Sequence, residues 1–340
     1  MVQRDKRFGD IAQVYDRIEW KHGGVVVSVL TKVAAEIYNR TAFASFEARK
    51  DFTLANAKAL MWLSQLAYET DEPGKVTTLL GAWGLRLLHD GIISAPATAP
   101  LPMARTEALV VERDNAAFVA FAGTDPLVLA DWVADFDIRP HLGTTEGFSL
   151  ALRDAMPHIQ NVLKQVRKPV FVTGHSLGGA LAALAAQNLA TSGAAVMAVY
   201  TYGMPRPGSA RFGVAYDAKL GATTYRLVHG EDIVPTVAPS FLGFRHVGRL
   251  LYCESGVHFE TRNLTAVGSD EPQFFNGTAK SLLDRVQKTF DALTTPNASA
   301  AHRHTGPSWV GRPDFVKALI RAQSQRIQDH LPDSYIKVLR

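Results

Sequence analysis

Apolar and polar positions change period several times along the chain, and each change marks an element. Residues 10–70 read as helical. Val25–Tyr38 carries an apolar stripe at helical spacing, and Leu54–Tyr68 (LANAKALMWLSQLAY) carries a stronger one, with Thr53 or Asp51 as its N-cap. Glu72-Pro73-Gly74 ends this helical segment. From Trp83 the period moves toward two: Trp83–Leu88 reads as a strand, Ser94–Met103 as a loop, and Glu107–Glu112 with Ala116–Ala122 as a hairpin about Asp114-Asn115. Leu127–Ile138 returns to helical spacing, with Leu129, Trp132, Val133 and Phe136 on one face. A helix over Thr144–Leu163 leads into the short β-branched strand Pro169–Thr173 and then an Ala/Leu helix stopped near Ser192-Gly193. Val196–Tyr202 and Thr223–Val228 are further strands, and Leu250–Cys253 with Val257–Thr261 reads as a terminal hairpin. Two late helices, Ala279–Leu293 and Asp314–Gln328, flank a polar patch, NASAAHRHTG.

This alternation of strand and helix predicts an α/β fold: a mostly parallel central sheet with helices on both faces. Sites in such sheets gather at the carboxyl ends of strands. No internal repeat or second domain is evident. Residues 1–340 are therefore expected to form a single domain, with 1–70 as an N-terminal helical segment and 262–313 as a variable insertion or cap.

Composition changes this picture little. The chain is 47% hydrophobic and 20% charged, as in ordinary globular proteins. Its net charge of +4 is concentrated late, because residues 276–340 hold ten Lys/Arg against five Asp/Glu. That flank is a set of solvated helix faces or a surface for transient contact with a lipid interface. Nothing matches a nucleic-acid module, and no stretch approaches a membrane span. The single cysteine, Cys253, allows no intrachain disulfide, and the opening MVQRDKRFGDIAQVYDRIEWKH lacks the apolar core of a signal peptide. The expected location is cytoplasmic, or outside the cell by export without a Sec signal.

The chemistry centres on Gly174-His175-Ser176-Leu177-Gly178, a G-x-S-x-G placed between a strand and a helix. A sharp turn there presents the Ser176 hydroxyl on an exposed turn, glycines on either side let strand and helix approach, and the helix N-terminus aims N–H groups beside the serine. Ser176 and Asp232 both fall at carboxyl ends of strands, which makes their convergence plausible. Asp232 ends a strand, with Glu231 as an alternative acid. The candidate bases are His246, His258, His302, His304 and His330. His258 would project from the second strand of the terminal hairpin, His302 and His304 lie in a polar loop, and His330 comes after a late helix in a short loop closed by Pro332.

Together these blocks resemble the class 3 lipase family, a branch of the α/β-hydrolases, over roughly residues 53–253 and again near residue 330. VTGHSLGGALAAL resembles the family's elbow; FAGTDP followed by DWVADF its oxyanion strand; TYGMPRPG with Phe212 the next block; and YRLVHGEDIVPTVAP followed by GFRHVG its acid block. NAKALMWLSQLAYE and DHLPDSYIKVL are similar to the terminal blocks of bacterial members. Ala122 departs from the arginine common before Gly-Thr. The resemblance implies an α/β-hydrolase fold and a serine hydrolase that cleaves the esters of lipids as a triacylglycerol lipase. Phospholipase A1, short-chain carboxylesterase and an inactive lipase-like scaffold are the alternatives. It implies Ser176 as nucleophile, Asp232 as the orienting acid, His330 as base with Tyr335 packed behind it, and oxyanion N–H groups from Thr124 and Leu177. It places His246 in a structural block. The implied substrate is a lipid or small ester, and no metal or organic cofactor is implied. A cover over the acyl pocket is expected from Leu127–Phe136 or Ala279–Leu293.

Overall fold

The computed structural model describes residues 31–96, 105–124, 145–237, 240, 243–269 and 329–339. The two expected cover segments, the late helix Asp314–Gln328, and His302 and His304 lie outside the described residues.

Runs of mostly buried β-branched and aromatic residues build one eight-stranded sheet. Its strands in chain order are β1 (Arg86–Pro96), β2 (Arg105–Arg113), β3 (Ala116–Phe121), β4 (Val170–His175), β5 (Val196–Tyr202), β7 (Thr224–His229), β9 (Arg249–Cys253) and β10 (Leu264–Val267), which is also their order across the sheet. The pairs β3–β4, β4–β5, β5–β7 and β7–β9 are parallel. Antiparallel β1–β2, β2–β3 and β9–β10 pairs complete the two edges. Two short strands, β6 (Gly208–Ser209) and β8 (Phe244–Arg245), pair separately.

Helices cover both faces. On one face the side chains of Val110, Val119 and Val172 meet α3 (Thr145–Arg153), α4 (Ala155–Leu163), α5 (Leu177–Thr191) and α6 (Ala210–Leu220). On the other, Leu109, Phe118, Phe171 and Tyr200 meet α1 (Leu54–Leu66), α2 (Pro73–Ala82) and α7 (Pro332–Val338). Adjacent residues of one strand belong to opposite cores, as the period of two requires. The central strands β3, β4 and β7 are buried at every position, as parallel strands covered on both sides must be. Thr53 caps α1 by accepting the Asn56 N–H, so Asp51 is not the cap.

Several expected boundaries move. Residues 31–38 form turns, not the end of a Val25–Tyr38 helix. Pro73 starts α2 at its first turn, where a missing N–H costs nothing, and Trp83 caps that helix instead of opening a strand. Strand β1 runs past Ser94 through a register shift between Leu87 and Ile92, which hid it as a broken pattern. Asp154 separates α3 from α4 inside the expected Thr144–Leu163 helix. The last hairpin pairs β9 with Leu264–Val267 and not with Val257–Thr261, so His258 lies exposed in a connecting loop.

The aromatic cluster on the second face tests this packing. Phe171 is fully buried with its ring 5.1 Å from Phe46 and 5.7 Å from Phe118. Phe171→Ala is expected to cost about 3–5 kcal/mol of unfolding free energy in urea titrations; a loss under about 1 kcal/mol would show that the cluster repacks.

Candidate active site

Strand β4 ends in a turn that leaves almost no room. Ser176 adopts φ 58° and ψ −133°, a strained backbone for a residue with a side chain. Its N–H donates to the Tyr202 carbonyl at 2.8 Å, which ties the turn to the end of β5. The glycines around it are required by close approach. A Cβ on Gly174 would lie 2.2 Å from the Gly178 carbonyl oxygen, and one on Gly178 would lie 2.5 Å from that of Ala122. One on Gly123 would lie 2.9 Å from the Ser176 Cβ, so the Gly123-Thr124 strand end is packed against the serine. Ser176 is therefore fully buried, not on an exposed turn, because β3 and its own helix close around it.

The end of β7 brings Asp232 to the same place, also fully buried. His330 arrives from the segment that leads into α7, and its Nδ1 lies 2.9 Å from both Asp232 carboxylate oxygens. The carboxylate can only accept, so Nδ1 carries the proton and Nε2 is left with its lone pair in the neutral ring. Asp232 Oδ1 also accepts the Val234 N–H at 2.9 Å, and Oδ2 accepts the Tyr335 hydroxyl at 2.6 Å. Burial first, and then the Asp232 charge, push the Tyr335 hydroxyl well above its ordinary pKa, which keeps it a donor. Gly203, at φ 58°, makes the space: a Cβ there would lie 2.5 Å from Asp232 Oδ2 and 2.8 Å from His330 Nδ1.

Ser176 Oγ, His330 Nε2 and Thr124 Oγ1 are buried without a hydrogen-bond partner among the described residues. Buried polar atoms are nearly always paired, and these three belong to residues that the close contacts at Gly123, Gly203 and His175 set around the elbow. Leu177, the first residue of α5, comes directly after the serine, where helix N–H groups lack intrahelical acceptors. The structure thus brings together Ser176, Asp232 and His330, with Thr124 and Leu177 flanking the serine. It does not bring the other described candidate bases there: His246 bonds the Pro235 carbonyl at 3.0 Å, and His258 is exposed.

Three supporting residues carried no signal in the sequence. His175, beside the serine, donates from Nε2 to the His330 carbonyl at 2.7 Å, which makes its Nδ1 an acceptor for the Tyr68 hydroxyl at 2.9 Å. The His175 and His330 rings lie 4.7 Å apart between centroids. Burial, and then the neighbouring His330, hold His175 well below the ordinary histidine pKa, in the neutral form this bonding needs. The third is Asp329, buried beside the Asp232 turn.

Residues 118–242 match the family model described as lipase (class 3). Over this stretch the chain is similar to the class 3 lipase family. Among its relatives, the "Secreted mono- and diacylglycerol lipase 1" of Fusarium solani is 33% identical over 138 residues, 37% of this chain and 41% of that protein. The "Lipase" of Rhizopus niveus is 32% identical over 181 residues, 49% of this chain and 46% of that one. In Malassezia restricta, "Secreted mono- and diacylglycerol lipase LIP4" reaches 42% over 106 residues, 29% of this chain and 35% of that one. The chain spans less than half the length of each. The solved Rhizopus niveus lipase II aligns at 23% identity over 65% of this chain and 88% of that one, with a TM-score of 0.49. Two of these relatives are named as secreted, which overturns the expected cytoplasmic or leaderless-export location. A core covered on both sheet faces needs no disulfide staple, so a single cysteine says little about compartment. Among the described residues no helix is long and apolar enough to cross a membrane.

Two measurements test this shell. His175 is neutral when folded and free to charge when unfolded, so below its unfolded pKa the unfolded chain binds more protons. Its stabilising contribution is complete above about pH 6.5 and is lost as the pH falls below it, by up to about 1.4 kcal/mol per pH unit. His175→Gln should flatten that acid-side slope in urea unfolding; parallel wild-type and variant curves would exclude His175 as its source. Gly203→Ala should cost at least about 1 kcal/mol, from its positive φ and from the crowding of Asp232 and His330. An unchanged urea midpoint would show that the loop yields freely.

Proposed function

We propose that this chain is a carboxylic ester hydrolase acting on lipid esters, a triacylglycerol lipase in its chemistry, working through Ser176, His330 and Asp232. The observation that carries the reading is the buried Asp232–His330 pair beside a strained serine elbow, with Ser176 Oγ and His330 Nε2 both left without partners. His330 Nε2 takes the hydroxyl proton as Ser176 Oγ attacks the ester carbonyl, while Asp232 stabilises the imidazolium that forms. N–H groups of Thr124 and Leu177 hold the tetrahedral oxyanion; one such donor is typically worth about 2.7–4 kcal/mol in the transition state. His330 then protonates the leaving alcohol, and water activated by the same nitrogen releases the acid from Ser176. Glycerides as the substrate class accord with the mono- and diacylglycerol lipases named among the relatives. The reading treats residues 1–340 as one hydrolase domain.

Ser176→Ala should abolish labelling by a fluorophosphonate probe and ester turnover while leaving the urea midpoint near wild type. His330→Ala should lower kcat on a soluble ester by about 10⁴-fold or more. Persistent labelling of Ser176→Ala, or a dead His302 or His304 variant beside an active His330→Ala, would overturn the assignment. Comparing tributyrin, long-chain triglyceride, phosphatidylcholine and short p-nitrophenyl esters separates lipase from phospholipase A1 and carboxylesterase, since the three predict different best substrates.

A further inference from the structure

The base-bearing segment is held to the acid-bearing turn at two neighbouring positions. His330 pairs with Asp232, and Asp329, one residue earlier, pairs with Glu231, one residue earlier on the other side. Asp329 Oδ2 accepts the Glu231 backbone N–H at 2.8 Å and the Ser255 hydroxyl, from the loop after β9, at 2.6 Å. Its main-chain carbonyl accepts from His229 Nδ1 at 3.3 Å. The carboxylate is buried, although Glu231 and Ser255 themselves lie at exposed positions.

The turn is shaped to admit this carboxylate. Gly230 adopts φ 58°, and a Cβ there would lie 2.1 Å from Asp329 Oδ2. Only a glycine both takes that backbone and leaves the carboxylate its place. Hydrogen bonds of this kind fix direction as well as distance, which an apolar contact of the same size does not.

We infer that Asp329 is a positioning residue for the hydrolytic reaction: its carboxylate fixes the register between the His330 segment and the Asp232 turn, and so the aim of His330 Nε2. This rests on the reading of Ser176, His330 and Asp232 as the reacting set. Asp329 touches none of the reacting atoms and acts only through His330. Its loss should therefore appear in kcat and leave substrate binding alone, since small misplacements of a reacting group cost about 10²-fold in rate.

The test uses the full chain and a soluble p-nitrophenyl ester. Asp329→Ala should lower kcat by about 10²-fold with KM within about twofold. Asp329→Asn, whose amide oxygen can still accept the Glu231 N–H, should recover most of that loss. Added to His330→Ala, Asp329→Ala should cost nothing more, because its whole effect passes through the missing ring. Three outcomes would overturn the inference: wild-type kcat in Asp329→Ala, a change in KM alone, or an equal further loss in the His330→Ala background. If Asp329→Ala fails to fold, Ser255→Ala removes one bond from an exposed turn. It should lower kcat about 3–10-fold at constant KM, and unchanged kcat there overturns the proposal equally. An active His330→Ala would instead remove the catalytic reading itself, whereas a dead His330→Ala with an unaffected Asp329→Ala would remove only the role of Asp329.

Discussion

The tight meeting of β3, β4 and α5 at residues 174–178 is the constraint on which the site depends. Three backbone surfaces come within a distance that excludes even a methyl group at Gly174 and Gly178. The atoms in the way are main-chain carbonyls, which cannot rotate aside as a long side chain can. Ser176 is consequently driven into a backbone conformation it would not choose, and the strain is offset by the packing of an Ala/Leu helix buried over most of its length. Both sheet faces contribute, because α5 belongs to one core while β4 sends alternate side chains into the other.

Around that rigid turn the polar groups form a continuous shell. Tyr68 leads to His175, His175 to the His330 main chain, His330 to Asp232, and Asp232 to Tyr335. Every group on this path is buried, so each bond acts in a medium where an unmade one is costly. The direction of donation is set by two groups within the path that can only accept: the His330 carbonyl, which fixes His175, and the Asp232 carboxylate, which fixes His330 and Tyr335. The tautomer of His330 is thus set by its surroundings, with Nε2 left without the proton.

Much of the architecture was legible from the residue pattern. Val170–His175, Val196–Tyr202 and Thr224–His229 are β-branched or aromatic runs buried on both sides, and such runs read clearly wherever they occur. Strand β1 was obscured by His89-Asp90-Gly91, where the register shifts, and α2 by a run rich in Thr and Gly that offers only a weak stripe. The final hairpin was misplaced because Val257–Thr261 alternates as well as the true partner does. At the site, the positions of Ser176, Asp232 and His330 were visible as strand-end and loop residues within recognisable blocks. The shell that holds them was not, since His175 and His330 are 155 residues apart and Tyr68 and His175 are 107 apart. Short-range periodicity carries no trace of such pairs. A polar residue one position before a histidine looks the same whether it is solvated or, like Asp329, buried against another loop.

The placement of His330 has a consequence for synthesis. A chain made from its N-terminus has its elbow serine, its acid and every strand of the sheet before residue 330 appears. The pairing that gives His330 its tautomer spans 98 residues and closes only when the segment 329–339 docks beside β7 and α1. Until then the serine is an ordinary alcohol in a strained turn. On the proposed reading of Ser176, His330 and Asp232 as the reacting set, reactivity therefore arrives only when the segment 329–339 packs against the core.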